Sequence, residues 1–136
     1  MGRADKTTVD YFSHDCIPKK TLYIIEGKYK NDGYAFWFKL LELLGSSQGH
    51  YYDLNDKGNM EFLVAKTHLD SAICSEILTL LSDLEAIDTD LWEKKVVWCQ
   101  NFVDRLDPVY SKRTNDAPVK PKVKDRSNGQ MKKNIP

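Results

Sequence analysis

The run DGYAFWFKLLELLG at residues 32–45 constrains the fold of this chain more than any other feature. Tyr34, Trp37, Phe38, Leu41 and Leu44 recur at the i, i+3, i+4, i+7 spacing of one helical face. Phe36, Leu40 and Leu43 fill much of the other side, and between the two glycines only Lys39 and Glu42 are charged. A helix that is apolar nearly all round must be wrapped by other elements. The run is therefore expected to be the central core helix, and it is far too short to cross a membrane.

The neighbouring segments supply the wrapping. Val9-Asp10-Tyr11-Phe12 offers a short apolar patch for packing on the body. Pro18 precedes a helical pattern over residues 19–30, with Leu22, Ile25 and Tyr29 on one face. A proline is tolerated there because the first helical turn has no use for its missing N–H. Asn31-Asp32-Gly33 is expected to separate that helix from the central one. Residues 45–49 read as a turn and residues 50–54 as a short strand. Residues 55–59 supply caps for a helix through about Thr67 that buries Phe62, Leu63 and Ala65. After a break at His68-Leu69, Asp70 is expected to cap a helix running to about Leu84, with Leu69 stapled on Cys74. Its inward residues are expected to be Ile73, Ile77, Leu80, Leu81 and Leu84, with Ser71, Ser75, Thr79 and Ser82 on the other face. Residues 86–90 and 96–98 then read as two strands joined by an excursion at 91–95. A last short helix from Trp98 to Leu106 is expected to stop at Pro108.

Helix, short strand, helix, tight turn, helix and hairpin is the order of a winged helix-turn-helix. The expected fold class is mainly α with a small β-hairpin, a winged helix-turn-helix with an extra N-terminal helix. Two regions are expected. Residues 1–110 form the winged-helix domain and carry 12 Lys and Arg against 18 Asp and Glu, a net charge of −6. Residues 111–136 carry 8 against 2, a net of +6, and read as a basic, disordered tail or linker.

Composition excludes several classes. With 41% hydrophobic and 29% charged residues the chain reads as one globular domain. No apolar run follows residues 1–6, so no secretory signal is expected. Cys16, Cys74 and Cys99 are odd in number and far apart, which suits reduced thiols and a cytoplasmic location. His14-Asp15-Cys16 lacks the paired ligand spacings of a zinc site, so neither metal nor cofactor is expected. Gly27-Lys28-Tyr29 lacks the remainder of a phosphate-binding loop, and no acid pair can be assigned to a cleft. The chain is not expected to be an enzyme, to take a small-molecule substrate or to partner a membrane.

Two sequence runs carry a resemblance. Val9-Asp10-Tyr11-Phe12, followed by residues 31–44, resembles the N-terminal domain of phage and prophage replication-type proteins, a group placed loosely with DnaD-like replisome organisers. Residues 61–67, 87–93 and 98–103 extend the similarity, which covers roughly residues 9–113. The resemblance implies a winged-helix fold and a role in phage DNA replication or DNA binding.

The helix at 70–84 would be the recognition helix. Reading bases in the major groove usually takes Arg, Lys, Asn or Gln, and this helix has none of them. Its charges are Asp70, Glu76 and Asp83, leaving Ser75 and Thr79 for phosphate or base-edge contact. Lys94 and Lys95 at the wing, and Lys57 and Lys66 on the first helix of the pair, are the candidate backbone contacts. In the tail, Lys112, Arg113, Lys120, Lys122, Lys124, Arg126, Lys132 and Lys133 would add salt-sensitive affinity independent of sequence. The expected function is therefore a DNA-binding module that works electrostatically through wing and tail. The alternative is a protein-interaction or oligomerisation module, favoured by the acidic body and the acidic helix 70–84. A sequence-specific transcriptional regulator is a third reading, and the composition of that helix argues against it.

Overall fold

The computed structural model describes residues 6–123. Its elements are α1 (Lys20–Ser46), a 3-10 turn (Gln48–His50), β1 (Tyr51–Asp53), α2 (Lys57–Thr67), α3 (Ser71–Asp83), α4 (Thr89–Glu93), β2 (Val96–Trp98), α5 (Gln100–Asp104) and α6 (Asp107–Arg113). The architecture is mainly helical with a small antiparallel sheet, in a winged-helix-like arrangement.

The two helices expected at residues 19–45 are both present within α1. They meet at Lys30, where φ is 60° and ψ −142°, so the chain turns one residue ahead of Asn31-Asp32-Gly33. The turn brings the second half of α1 against the first. A Cβ at Gly33 would lie 2.5 Å from the Ile25 carbonyl oxygen and 2.9 Å from the Tyr29 Cβ, so only glycine fits this crossing. Beyond it, Phe36, Leu40, Leu43 and Leu44 are buried, whereas Tyr34, Trp37 and Phe38 are half-buried. Leu41 and Leu44, on the same face as those aromatics, are buried too, so both sides of the helix are covered and only the aromatic residues lie nearer the surface. The aromatic face is turned toward residues 6–19, an N-terminal strap, where His14 stacks on Phe38 at 4.0 Å between centroids.

Capping residues delimit the next two helices. The Asp56 carboxylate accepts from the Asn59 N–H, and Asp70 accepts from the Ile73 N–H. His68 ends α2 in the left-handed conformation, with φ of 62°. Two facings differ from expectation. On α2, Leu63 is buried, but Phe62 is 55% exposed and Ala65 is exposed as well. On α3 the fully buried residues are Cys74, Ile77, Leu78 and Leu81, while Ile73, Leu80 and Leu84 are only half-buried and Ser82 points inward. The small Cys74 side chain fits beside α2, with Sγ 3.5 Å from Thr67 Oγ1, and this fixes the rotation of α3.

The sheet is built differently from the expected hairpin. β2 pairs with β1, in the register Tyr51↔Trp98, Tyr52↔Val97 and Asp53↔Val96. Residues 86–90 do not form a strand. One backbone bond, from the Asp88 N–H to the Trp98 carbonyl at 2.8 Å, stands where a ladder was expected. The reason is local chemistry: the Asp88 carboxylate accepts from the Leu91 N–H at 2.9 Å and caps α4, whose first turn also carries Asp90. A good N-cap with acid in the first turn favours helix over a short strand. The wing is therefore a helical turn followed by Lys94 and Lys95.

The C-terminal part holds a further difference. Pro108 lies in the first turn of α6 and starts a helix instead of only ending one. α6 runs past residue 110 to Arg113, whose guanidinium donates to the Thr8 carbonyl at 2.7 Å and to that of Lys6 at 3.3 Å. Farther on, Ala117 and Val123 pack against the core, and Lys120 Nζ lies 2.7 Å from Asp88 Oδ2. Lys124, Arg126, Lys132 and Lys133 lie outside the described residues. No helix among the described residues is long and apolar enough to cross a membrane.

Candidate nucleic-acid interface

The sheet and the wing bring one set of cations together. The Leu54 N–H donates to the Lys95 carbonyl, and the Asn55 side-chain amide donates to the Lys94 carbonyl, both at 2.8 Å. The turn that enters α2 thus abuts the end of the wing, and exposed Lys57 begins α2 two residues after Asn55. On the tail side, Lys94 Nζ donates to the Val123 carbonyl at 3.1 Å. Lys57, Lys94, Lys95 and the basic chain around Lys122 therefore share one corner of the molecule. Asp53, Asp56 and Glu93 are in the same region. The Asp56 carboxylate is engaged as the α2 cap, and Asp53 accepts from the backbone and side chain of Asn55.

The wing lysines are not equivalent. Lys94 is half-buried and tied to the tail, whereas Lys95 is exposed with its Nζ 4.5 Å from the Trp92 ring centroid. Trp92 is only 5% exposed, and its indole N–H donates to Thr79 Oγ1 at 3.2 Å. Thr79 and Lys95 are thereby joined through one tryptophan, an arrangement that links α3 to the wing. Trp92 is too deeply buried to stack on a base.

The other candidates are dispersed. Lys66 Nζ lies 2.8 Å from Glu42 Oε1 and ties α2 to α1. Arg113 holds the N-terminal strap and covers the Tyr110 ring at 5.2 Å. Lys112 is exposed on α6, and Ser75 is half-buried on α3. The Glu76 carboxylate on α3 accepts a hydrogen bond from the Tyr29 hydroxyl. Partial burial and that carboxylate push the Tyr29 phenol up to about 12. The outer side of α3 presents Asp70, Ser71, Glu76, Thr79 and Asp83 without a single cation.

Sequence reasoning missed the roles of Asn55 and Arg113, because both depend on partners far along the chain. Thr79 was singled out as a contact for nucleic acid, but its hydroxyl is an acceptor for the core.

The cysteine and histidine motifs have internal roles. Both oxygens of Asp15 accept from Arg105, at 2.6 and 2.7 Å, and the guanidinium holds the Asp15 carboxyl below its usual range. His14 faces Phe38 and Tyr34. Burial pushes the Cys99 thiol up to about 11, which makes it a poor nucleophile and metal ligand. No group of three or more His, Cys, Asp or Glu able to hold a metal ion occurs among the described residues. A cleft of about 600 Å³ runs under the strap, bordered by Phe12, Trp37, Phe38, Ile87 and Phe102. Trp37, expected in mid-core, is a half-buried wall of this cleft.

Residues 11–102 match the family model described as Lin1244/Lin1753-like, N-terminal. The chain belongs to this family. The Lin1244/Lin1753-like match begins in the strap and ends in α5, so it takes in the central helix, the helix pair, the wing and both strands. No curated protein and no solved structure matches the chain.

Proposed function

We propose that this Lin1244/Lin1753-like chain is a DNA-binding module of a phage-type replication protein and that it contacts the phosphate backbone rather than the bases. The observation that carries this reading is the shared corner of Lys57, Lys94, Lys95 and the basic chain at Val123. Cations gathered in one place act together on a polyanion, and each phosphate they neutralise releases counterions. Residues 124–136 follow in the sequence and carry four further cations, Lys124, Arg126, Lys132 and Lys133, against the single carboxylate of Asp125. α3 takes no part in base reading, because its outer side is acidic and would be repelled by phosphate. Lys66 and Arg113 serve the fold, and Lys112 contributes only to the general field.

The reading is tested by titrating the full chain against a labelled duplex. Reversing Lys57 and Lys95 together to Glu is expected to weaken binding by about tenfold or more. Ser75→Ala is expected to leave affinity within about twofold, since a single half-buried hydroxyl contributes little to phosphate contact. Equal binding by the double variant and the parent would remove the proposal.

A second reading, a protein-interaction module without direct DNA binding, is favoured by the acidic outer side of α3. Its partner would present a basic surface. Under that reading the parent chain would not bind the labelled duplex, and Glu76→Lys and Asp83→Lys would abolish the interaction with the basic partner.

A further inference from the structure

Everything N-terminal to Lys30 is joined to the body of the protein through a single strained residue. The combination of φ 60° and ψ −142° at Lys30 belongs to a region that is essentially glycine's, yet a lysine occupies it. No proline occurs between Lys19 and Ser46, so the sequence of α1 permits one straight helix about 40 Å long. The arm before the hinge is held by many non-covalent contacts. The Val9 N–H donates to the Gly45 carbonyl at 2.8 Å, Asp15 pairs with Arg105, and Thr8 accepts from Arg113. Phe12 packs edge-on against Phe102, Ile25 is fully buried, and Tyr29 reaches Glu76.

We infer that this chain exchanges the arm preceding Lys30 with a second copy of itself, and that α1 is straight in the exchanged dimer. Straightening relieves the left-handed lysine, and every arm–body contact re-forms between chains. The closed and exchanged forms then differ only at the hinge. A short hinge under strain is the setting in which swapping an identical element costs least. The Gly33–Ile25 crossing is kept in both forms, so Gly33 does not choose between them, whereas Lys30 does.

The experiment is to refold the full chain at increasing concentration and measure its mass in solution. A slowly dissociating dimer is expected. Lys30→Gly, which accepts the turn without strain, is expected to weaken dimerisation by about tenfold or more. Lys30→Val, β-branched and poorly tolerated at positive φ, is expected to strengthen it. Asp15 and Arg105 provide a second test. One chain with Asp15→Arg and one with Arg105→Asp each carry like charges across the arm–body contact. When the two are refolded together, only an exchanged heterodimer matches opposite charges at both contacts. Native mass spectrometry should then show heterodimer well above the statistical half. A protein that stays monomeric at all concentrations, a dimer indifferent to Lys30, or mixing at the statistical ratio would each overturn the inference.

Discussion

The Tyr110 hydroxyl donates to Nε2 of His50 within the core, and both side chains are at most 2% exposed. On its other side the imidazole donates from Nδ1 to the Leu44 carbonyl at 2.8 Å, which fixes the neutral ring in one tautomer. The pair ties α6 to the end of α1. Tyr110→Phe would leave Nε2 buried without a donor, at a cost of about 1–3 kcal/mol. A urea denaturation midpoint unchanged by this substitution would contradict the assigned bond.

The same pair makes stability depend on pH. Burial pushes the His50 imidazole below its ordinary value, and the Arg113 charge pushes in the same direction. The unfolded chain then binds more protons than the folded one below about pH 6.5. The His50 contribution is expected to be level above pH 7, and stability to fall as the pH drops from about 6.5 toward the lowered folded value. Urea midpoints at pH 7.5 and 5.5 check this, and a higher midpoint at pH 5.5 would argue against it.

Gly33→Ala tests the crossing within α1. The added Cβ meets the Ile25 carbonyl at 2.5 Å, a backbone atom that cannot swing aside. The alanine would otherwise favour the helix, so any loss of stability reports the clash. A destabilisation of about 1–3 kcal/mol is expected. A more stable Gly33→Ala protein would mean that the two halves of α1 do not pack as described.

Much of this fold was legible in short-range signals. Asp56 and Asp70 cap the helices their positions suggested, and the apolar run at 32–45 became the second half of α1. Misreadings arose where a short segment had two competing local choices. Asp88-Thr89-Asp90 had both the alternation of a strand and the acids of a helix start, and the cap at Asp88 prevailed. The rotation of α3 turned on Cys74, whose small side chain suits close approach to Thr67 but carries little weight in a periodicity argument. For the candidate interface, charge and element order pointed to the wing, yet could not separate Lys95 from cations recruited by the fold. Lys66 is held by Glu42, 24 residues away, and Arg113 by Thr8, 105 residues away; neither pairing leaves a local trace.

Thr79 separates a structural role from a binding role. Thr79→Val keeps the shape but removes the acceptor for the Trp92 indole N–H. Stability is expected to fall by about 1 kcal/mol. DNA affinity should stay within about twofold of the parent, because this hydroxyl makes no backbone contact in the proposed mode. A large loss of DNA affinity with unchanged stability would return Thr79 to the interface.

The central claim is that DNA is held by the charge of one basic corner. The most direct measurement is the salt dependence of duplex binding by the full chain, compared with the Lys57→Glu, Lys95→Glu double variant. For backbone contact the logarithm of the binding constant falls linearly with the logarithm of salt, by about 0.9 per phosphate neutralised. The account predicts such a line for duplexes of unrelated sequence, with a slope shallower by about two in the double variant. No binding at low salt, or a slope untouched by the double reversal, would contradict it.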